Sequence, residues 1–253
     1  MRPVKKWSVG DAYVNQKNDN ETVLERYSSH TKAISILQLN LDCYCSYCEV
    51  FSSDLEVEHV VSQDQDDAKK TAWDNFLLAC GRCNGRDNKS NKPVDINNIY
   101  LPHLNNTLLA FEYKEGGLVA INPQLQGHQI NKAEELIDLV GLDKYPGNPK
   151  YPATNQHPMG FSEGDKRWEH RRQAWENAKS KLKDYEKGEI SVNMIVAFAK
   201  QRGFFSVWYS VFSAHPAVRA AMITAFEGTD QNCFDPTTFT PVHRNPTKQN
   251  DTI

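Results

Sequence analysis

Cys45-Ser46-Tyr47-Cys48 and Cys80-Gly81-Arg82-Cys83-Asn84 bracket the segment Leu55-Glu56-Val57-Glu58-His59-Val60-Val61, and the reading of these three pieces decides the fold. Two cysteine pairs of this spacing can close a tetrahedral Zn²⁺ site in which four thiolates sit at about 2.3 Å and no coordination position stays open. Such a site is structural. It pins the first pair against the second and folds the segment between them back beside whatever follows Cys83. Cys43 and Cys233 complete the six cysteines. Cys43 could compete as a ligand beside Cys45, but the two-residue spacing makes the better knuckle, so Cys43 is expected to be spare and Cys233 an isolated thiol.

Working outward, Leu55, Val57 and Val61 alternate with a two-residue period, which predicts a strand with Glu56, Glu58 and His59 offering side chains elsewhere. Ser62 to Lys70, with Asp64, Asp66 and Asp67, is a polar loop. Trp73 to Cys80 is a second short apolar segment, and Gly81 to Lys89 a candidate helix opening on the second cysteine pair. The order C-x-x-C, acidic-His, Asn75, C-x-x-C-Asn resembles the HNH endonucleases of the ββα-metal fold, over roughly Asp42 to Lys92.

That resemblance implies that Glu58 and Asn84 hold one divalent cation, that His59 activates water and that Asn75 braces the loop. Two positions depart from the family pattern. Glu58 stands where Asp is usual and reaches one methylene farther. The Lys common three residues after the last motif position is replaced by Asp87, with Lys89 two further on, which makes Asn88 a rival ligand to Asn84. Arg82, Arg86 and Lys89 are then the expected phosphate contacts.

The chemistry suits the residue types independently. Phosphodiester hydrolysis needs a nucleophile made from water and a means to absorb negative charge on the phosphoryl and leaving oxygens. A neutral imidazole can take the proton at neutral pH, and oxygen donors from Glu58 and Asn84 suit Mg²⁺ or Mn²⁺. Taken singly, His59 is an ordinary strand-end histidine and Asn84 an ordinary helix-start residue; their order between the two cysteine pairs is what marks them.

The remainder of the 253 residues reads as a globular chain, 39% hydrophobic and 24% charged, with a net charge of −3. Attraction to a polyanion must therefore be local. Arg82, Arg86, Lys89 and Lys92 form one positive stretch. Lys166, Arg167, Arg171 and Arg172 form another, expected on the outward side of a helix from Asp165 to Lys187 whose inward face carries Trp168, Trp175, Ala178, Leu182 and Tyr185. Upstream, Glu21 to Gln38 is compatible with a helix. Asn91 to Asn106 suggests a linker, Leu108 to Tyr113 and Leu118 to Ile121 a hairpin, and Ala133 to Val140 a helix closed by Gly141. Helices are also expected after Ser191 and over Pro216 to Phe226, and a loose tail after Thr237. No apolar run approaches the roughly 18–20 residues of a membrane span.

The expected architecture is α+β: an N-terminal helix and a zinc-knuckled ββα-metal HNH core within residues 1–100, then a hairpin and mainly helical region over 101–253 that grips DNA or docks a partner. The expected function is a metal-dependent HNH endonuclease hydrolysing phosphodiester bonds of nucleic acid, DNA first, with structural Zn²⁺ and catalytic Mg²⁺ or Mn²⁺. The alternative is a catalytically degenerate, zinc-stabilised nucleic-acid-binding or adaptor subunit. Met1-Arg2-Pro3-Val4-Lys5-Lys6, the first knuckle with Glu49, and Leu55 to His59 also look like the HNH proteins of bacterial defence operons, including Septu anti-phage and retron-associated nucleases. That resemblance implies antiviral defence with an ATPase partner; the charged start without an apolar stretch behind it suggests a cytoplasmic protein.

Overall fold

The computed structural model of the chain describes residues 1–244 and Ile253. Strands β1 (Ala12–Val14) and β2 (Asn20–Thr22) pair antiparallel, Tyr13 opposite Glu21. The expected helix from Glu21 is therefore shorter and later. A 3₁₀ turn, His30–Ala33, capped by the Ser29 side chain, leads into α1 (Ile34–Leu41). The reason is local: Glu21 and Thr22 bond across the hairpin, and Ser29 satisfies a backbone N–H as a cap more readily than it fits a helix interior.

β3 (Leu55–His59) pairs antiparallel with β4 (Phe76–Cys80), Val57 opposite Leu78 and His59 opposite Phe76. Phe76, Leu77, Leu78 and Ala79 are fully buried, so this two-stranded sheet forms part of the core. α2 (Gly81–Asn84) is a single turn rather than a helix to Lys89, because Gly85 leaves it in an extended conformation. The chain still coils on, with Lys89 N–H donating to the Cys83 carbonyl at 3.2 Å and Ser90 N–H to that of Asn84 at 3.2 Å.

Residues 91–106 pack as core rather than linker. Val94, Ile99, Tyr100 and Leu101 are buried, and the Asn106 amide donates to the carbonyls of Cys233 and Val242, both at 2.7 Å. α3 (Thr107–Ala110) runs into a hairpin of β5 (Phe111–Lys114) and β6 (Leu118–Ile121). α4 (His128–Val140) ends where Gly141 adopts the left-handed conformation, φ 61°.

α5 (Arg167–Glu186) corrects the sequence reading most sharply. Its fully buried residues are Arg167, Arg171, Ala174 and Ala178, at helical spacing, while Trp168 and Trp175 are half-buried. Arg167 and Arg171 thus point inward, not toward solvent, and the outward positive cluster shrinks to Lys166 and Arg172. α6 (Val192–Arg202), capped by Ser191, α7 (Phe205–Val211) and α8 (Pro216–Ala225) follow. They surround a smaller hydrophobic cluster with Trp208, Phe212 and Met222 at its centre. The larger cluster draws on both sides of residue 100, joining Leu37, Leu78, Phe111, Leu136 and Ala174.

The segment after Thr237 is held as far as Arg244, whose guanidinium pairs with Asp230 at 2.9 Å, and Val242 N–H donates to the Cys233 carbonyl at 2.9 Å. The expectation of a loose tail is corrected to that extent; its continuation over 245–252 lies outside the described residues. No helix among the described residues is long and apolar enough to cross a membrane.

Candidate active site and metal cage

The two knuckles meet. The ligand atoms of Cys45, Cys48, Cys80 and Cys83 all lie within 4.8 Å of one another, with Cys48 and Cys80 sulfurs 3.6 Å apart. A tetrahedron of thiolates about 2.3 Å from zinc has edges of about 3.8 Å, whereas a disulfide needs about 2.05 Å. All six cysteines are free thiols. The donor set and spacing therefore fit a four-sulfur zinc site, and Cys43 stands outside it. Backbone geometry builds the first knuckle: Cys45 N–H donates to the Val50 carbonyl at 3.0 Å, Glu49 N–H to that of Cys45 at 2.9 Å, and Ser46 N–H ties the turn to Leu78 of β4 at 2.8 Å.

Beside the cage, β3 forms one wall of a cleft of about 400 Å³ lined by Glu56, Glu58, His59, Asn84, His30 and Gln63, among others. His59 closes the strand. Its Nε2 lies 3.0 Å from the Lys70 carbonyl. A carbonyl can only accept, so Nε2 carries the proton and Nδ1 presents a lone pair, here facing the Gln63 amide at 3.3 Å. Burial, the nearby His30 and Lys89 push the imidazole pKa below its ordinary value, outweighing the Lys70 bond. The ring stands edge-on to Phe76 at 5.2 Å and to His30 at 5.0 Å.

Glu58 lies at the cleft floor with no solvent exposure. Its Oε1 takes the Lys89 ammonium at 2.9 Å and the Tyr47 hydroxyl at 3.3 Å; Oε2 is buried without a hydrogen-bond partner. Burial pushes its pKa up to about 7 against the pull of Lys89 and Tyr47. Asn84 reaches the same cleft from α2 and donates to Glu56 Oε2 at 2.8 Å. Zinc knuckles, an acidic-His strand end and an Asn just past the last cysteine converge in one place.

Residues 44–92 match the HNH endonuclease family model. No curated protein matches the chain.

Within this HNH domain the expected residues divide into two groups. His59, Glu58 and Asn84 line one cleft. Asn75 stands behind it, accepting from Val61 N–H at 2.8 Å and donating to the carbonyls of Val61 at 2.9 Å and Lys69 at 3.1 Å, which holds the loop that carries the His59-binding Lys70. Asn88, the rival ligand, is buried and committed elsewhere: its amide donates to the Arg82 carbonyl at 2.5 Å and its Oδ1 accepts from Lys144 at 2.8 Å. Lys89, expected at the surface against phosphate, is instead 1% exposed and bonded to Glu58 and to the His59 carbonyl at 2.6 Å. A buried carboxylate recruits the nearest ammonium, which removes Lys89 from any phosphate contact. Arg82 and Arg86 are exposed but do not line the cleft.

Three further cleft residues, Glu56, Gln63 and His30, carry weaker sequence signals or none. Glu56 shares the strand face of Glu58 by two-residue alternation, and Gln63 follows His59 at short range. Tyr47, fully buried in the first knuckle, reaches Glu58 from behind the cleft. His30, distant in sequence, gave no local signal.

Proposed function

We propose that the HNH domain hydrolyses phosphodiester bonds of nucleic acid, DNA first, in a ββα-metal site. One observation carries the reading: an imidazole with its Nε2–H anchored on a backbone carbonyl offers Nδ1 as a base in the cleft that also holds a buried, half-satisfied carboxylate. His59 takes the proton of the attacking water on Nδ1, and the Lys70 carbonyl supports the positive ring that results. Glu58 and Asn84 are the residues that hold the divalent cation, Mg²⁺ or Mn²⁺, with Glu56 adjacent. The orphaned Oε2 of Glu58 and the oxygen-rich lining fit a hard cation. That ion, when bound, neutralises charge growing on the phosphoryl and leaving oxygens. Arg82 and Arg86 bind the flanking phosphates, and Asn75 positions the loop bearing Lys70.

The motif words shared with Septu-type and retron-associated HNH proteins support a further reading, a cytoplasmic anti-phage effector working with an ATPase, in which residues 101–253 grip DNA or dock the partner. A second reading follows from the Lys89–Glu58 pair: a cation already fixed on the acidic residue suits an adaptor that has lost catalysis. Plasmid nicking with Mg²⁺ or Mn²⁺ separates the two. The endonuclease reading expects metal-dependent nicking that His59→Ala lowers by about 10²–10⁴-fold with zinc content unchanged. Nicking that survives in His59→Ala sinks the assigned base, and no nicking by the parent under any of these ions, with or without the neighbouring gene product, favours the adaptor.

A further inference from the structure

We propose that the start of helix α5 is the outer shell of the zinc centre, with Arg167 supplying positive charge that holds a buried tetrathiolate cage. This rests on the reading of the four cysteines as a zinc site. Four thiolates around Zn²⁺ leave a net double negative charge, and a buried charge is tolerated only when it is paired and hydrogen-bonded.

Arg167 meets that need directly. Its Nη1 donates to Cys83 Sγ at 3.2 Å and to the Val140 carbonyl at 2.6 Å. Nη2 donates to the Gly141 carbonyl at 3.1 Å and to Asp165 Oδ2 at 2.6 Å, and Nε donates to Asp165 Oδ1 at 2.8 Å. Every N–H of the guanidinium fork is used, a pattern that the compact ammonium of lysine cannot reproduce. Arg171, one turn on and 2% exposed, donates to the carbonyls of Gly117 at 2.6 Å and Leu142 at 2.9 Å. These bonds tie α5 to the hairpin turn and to the end of α4, beside the Arg167 contact with the cage.

The placement is otherwise unfavourable. Arg167 is the first residue of α5, where the helix dipole disfavours cations. Asp165 offsets part of that cost. The Cys83 sulfur of the anionic cage, on the Nη1 side of the same guanidinium, offsets more. The terminal carbonyls of α4 complete the junction, so the second knuckle, the end of α4 and the start of α5 form one charged joint between the HNH domain and the helical half.

The test uses the full chain. Zinc stoichiometry is measured first, then zinc affinity by competition with a chromophoric chelator, for the parent, Arg167→Lys and the control Arg172→Met, whose side chain is ion-paired to Glu176 on the outer face. Arg167→Lys is expected to bind zinc about ten- to hundredfold more weakly, with Arg172→Met unchanged. In the Co²⁺-loaded protein, Arg167→Lys should move the sulfur-to-cobalt charge-transfer band to longer wavelength, because losing an N–H···S bond raises the sulfur lone pair; a merely structural arginine would leave the band in place. An Arg167→Lys protein that matches the parent in both affinity and band overturns the outer-shell assignment while leaving the cage intact. A parent that carries no zinc overturns the cage and the assignment together.

Discussion

Lys89 and Glu58 form an ion pair sealed from water, Nζ to Oε1 at 2.9 Å with side-chain exposures of 1% and 0%. The same ammonium donates to the His59 carbonyl at 2.6 Å. One cation therefore fastens both the acidic residue and the end of the strand that carries the proposed base, and the Tyr47 hydroxyl joins it from the first knuckle. Zinc cage and cleft are connected through a few side chains rather than merely adjacent.

Removing that cation while keeping its stem strands the carboxylate. Breaking one partner of a buried pair typically costs about 3–5 kcal/mol, and Lys89→Met should lose stability on that scale in urea unfolding at pH 8. Nicking should fall in parallel, because Glu58, already pushed up to about 7 by burial, then binds a proton at neutral pH. A loss well under 1 kcal/mol would show that Glu58 is paired in some other way.

Glu56 offers a cleaner probe of the ion site. Glu56→Gln keeps an oxygen to accept the Asn84 amide but removes the negative charge. Exposed as it is, the change should leave stability within about 0.5 kcal/mol. The divalent-ion concentration giving half-maximal nicking should rise about tenfold or more. A metal titration that does not move would restrict Glu56 to orienting Asn84.

The parts of this architecture legible in the sequence were those set by short-range spacing. Cys45, Cys48, Cys80 and Cys83 gather as their two-residue intervals imply, β3 falls on the alternating segment from Leu55 and β4 on the short apolar segment that ends at Cys80, and Gly141 ends α4. What stayed hidden depended on long-range charge. The stripe expected on α5 packs inward at Trp175, Ala178, Leu182 and Tyr185, but Arg167 and Arg171 are buried as well, because only the folded chain brings Cys83, Asp165 and the carbonyls at the end of α4 around a guanidinium. Lys89 was misjudged for the same reason: a lysine in a basic run looks solvated until a buried carboxylate stands beside it. His30 reaches the cleft only through tertiary folding.

Loss of the metal should unravel more than a knuckle. Structural zinc contributes binding free energy directly to folding, on the order of 10 kcal/mol in small zinc domains, and here the cage also faces Arg167. Cys80→Ser is expected to abolish zinc binding, lower the melting temperature steeply and expose sites in both halves of the chain to protease. A variant that loses zinc yet melts like the parent would mean that the packed core around Leu78 and Phe111 holds without it.

His103 should set part of the acid limit of stability. Its Nδ1 is buried without a partner, and it shares an apolar cleft with Lys6, Trp73 and Val60. Burial, reinforced by the charges of Lys6 and Arg244, lowers its pKa to about 3, whereas in the unfolded chain it lies near 6.5. Between these values the unfolded state binds a proton that the folded state refuses, so stability falls as pH drops from 6.5 toward 3, by at most about 1.4 kcal/mol per pH unit from this group. Leucine at this position cannot titrate. Unfolding free energies of the parent and of His103→Leu, measured between pH 7 and pH 4, should therefore converge or cross in favour of the variant as pH falls. Parallel curves would mean that His103 takes up its proton inside the fold, with Lys6 or Arg244 moved away to admit the charge.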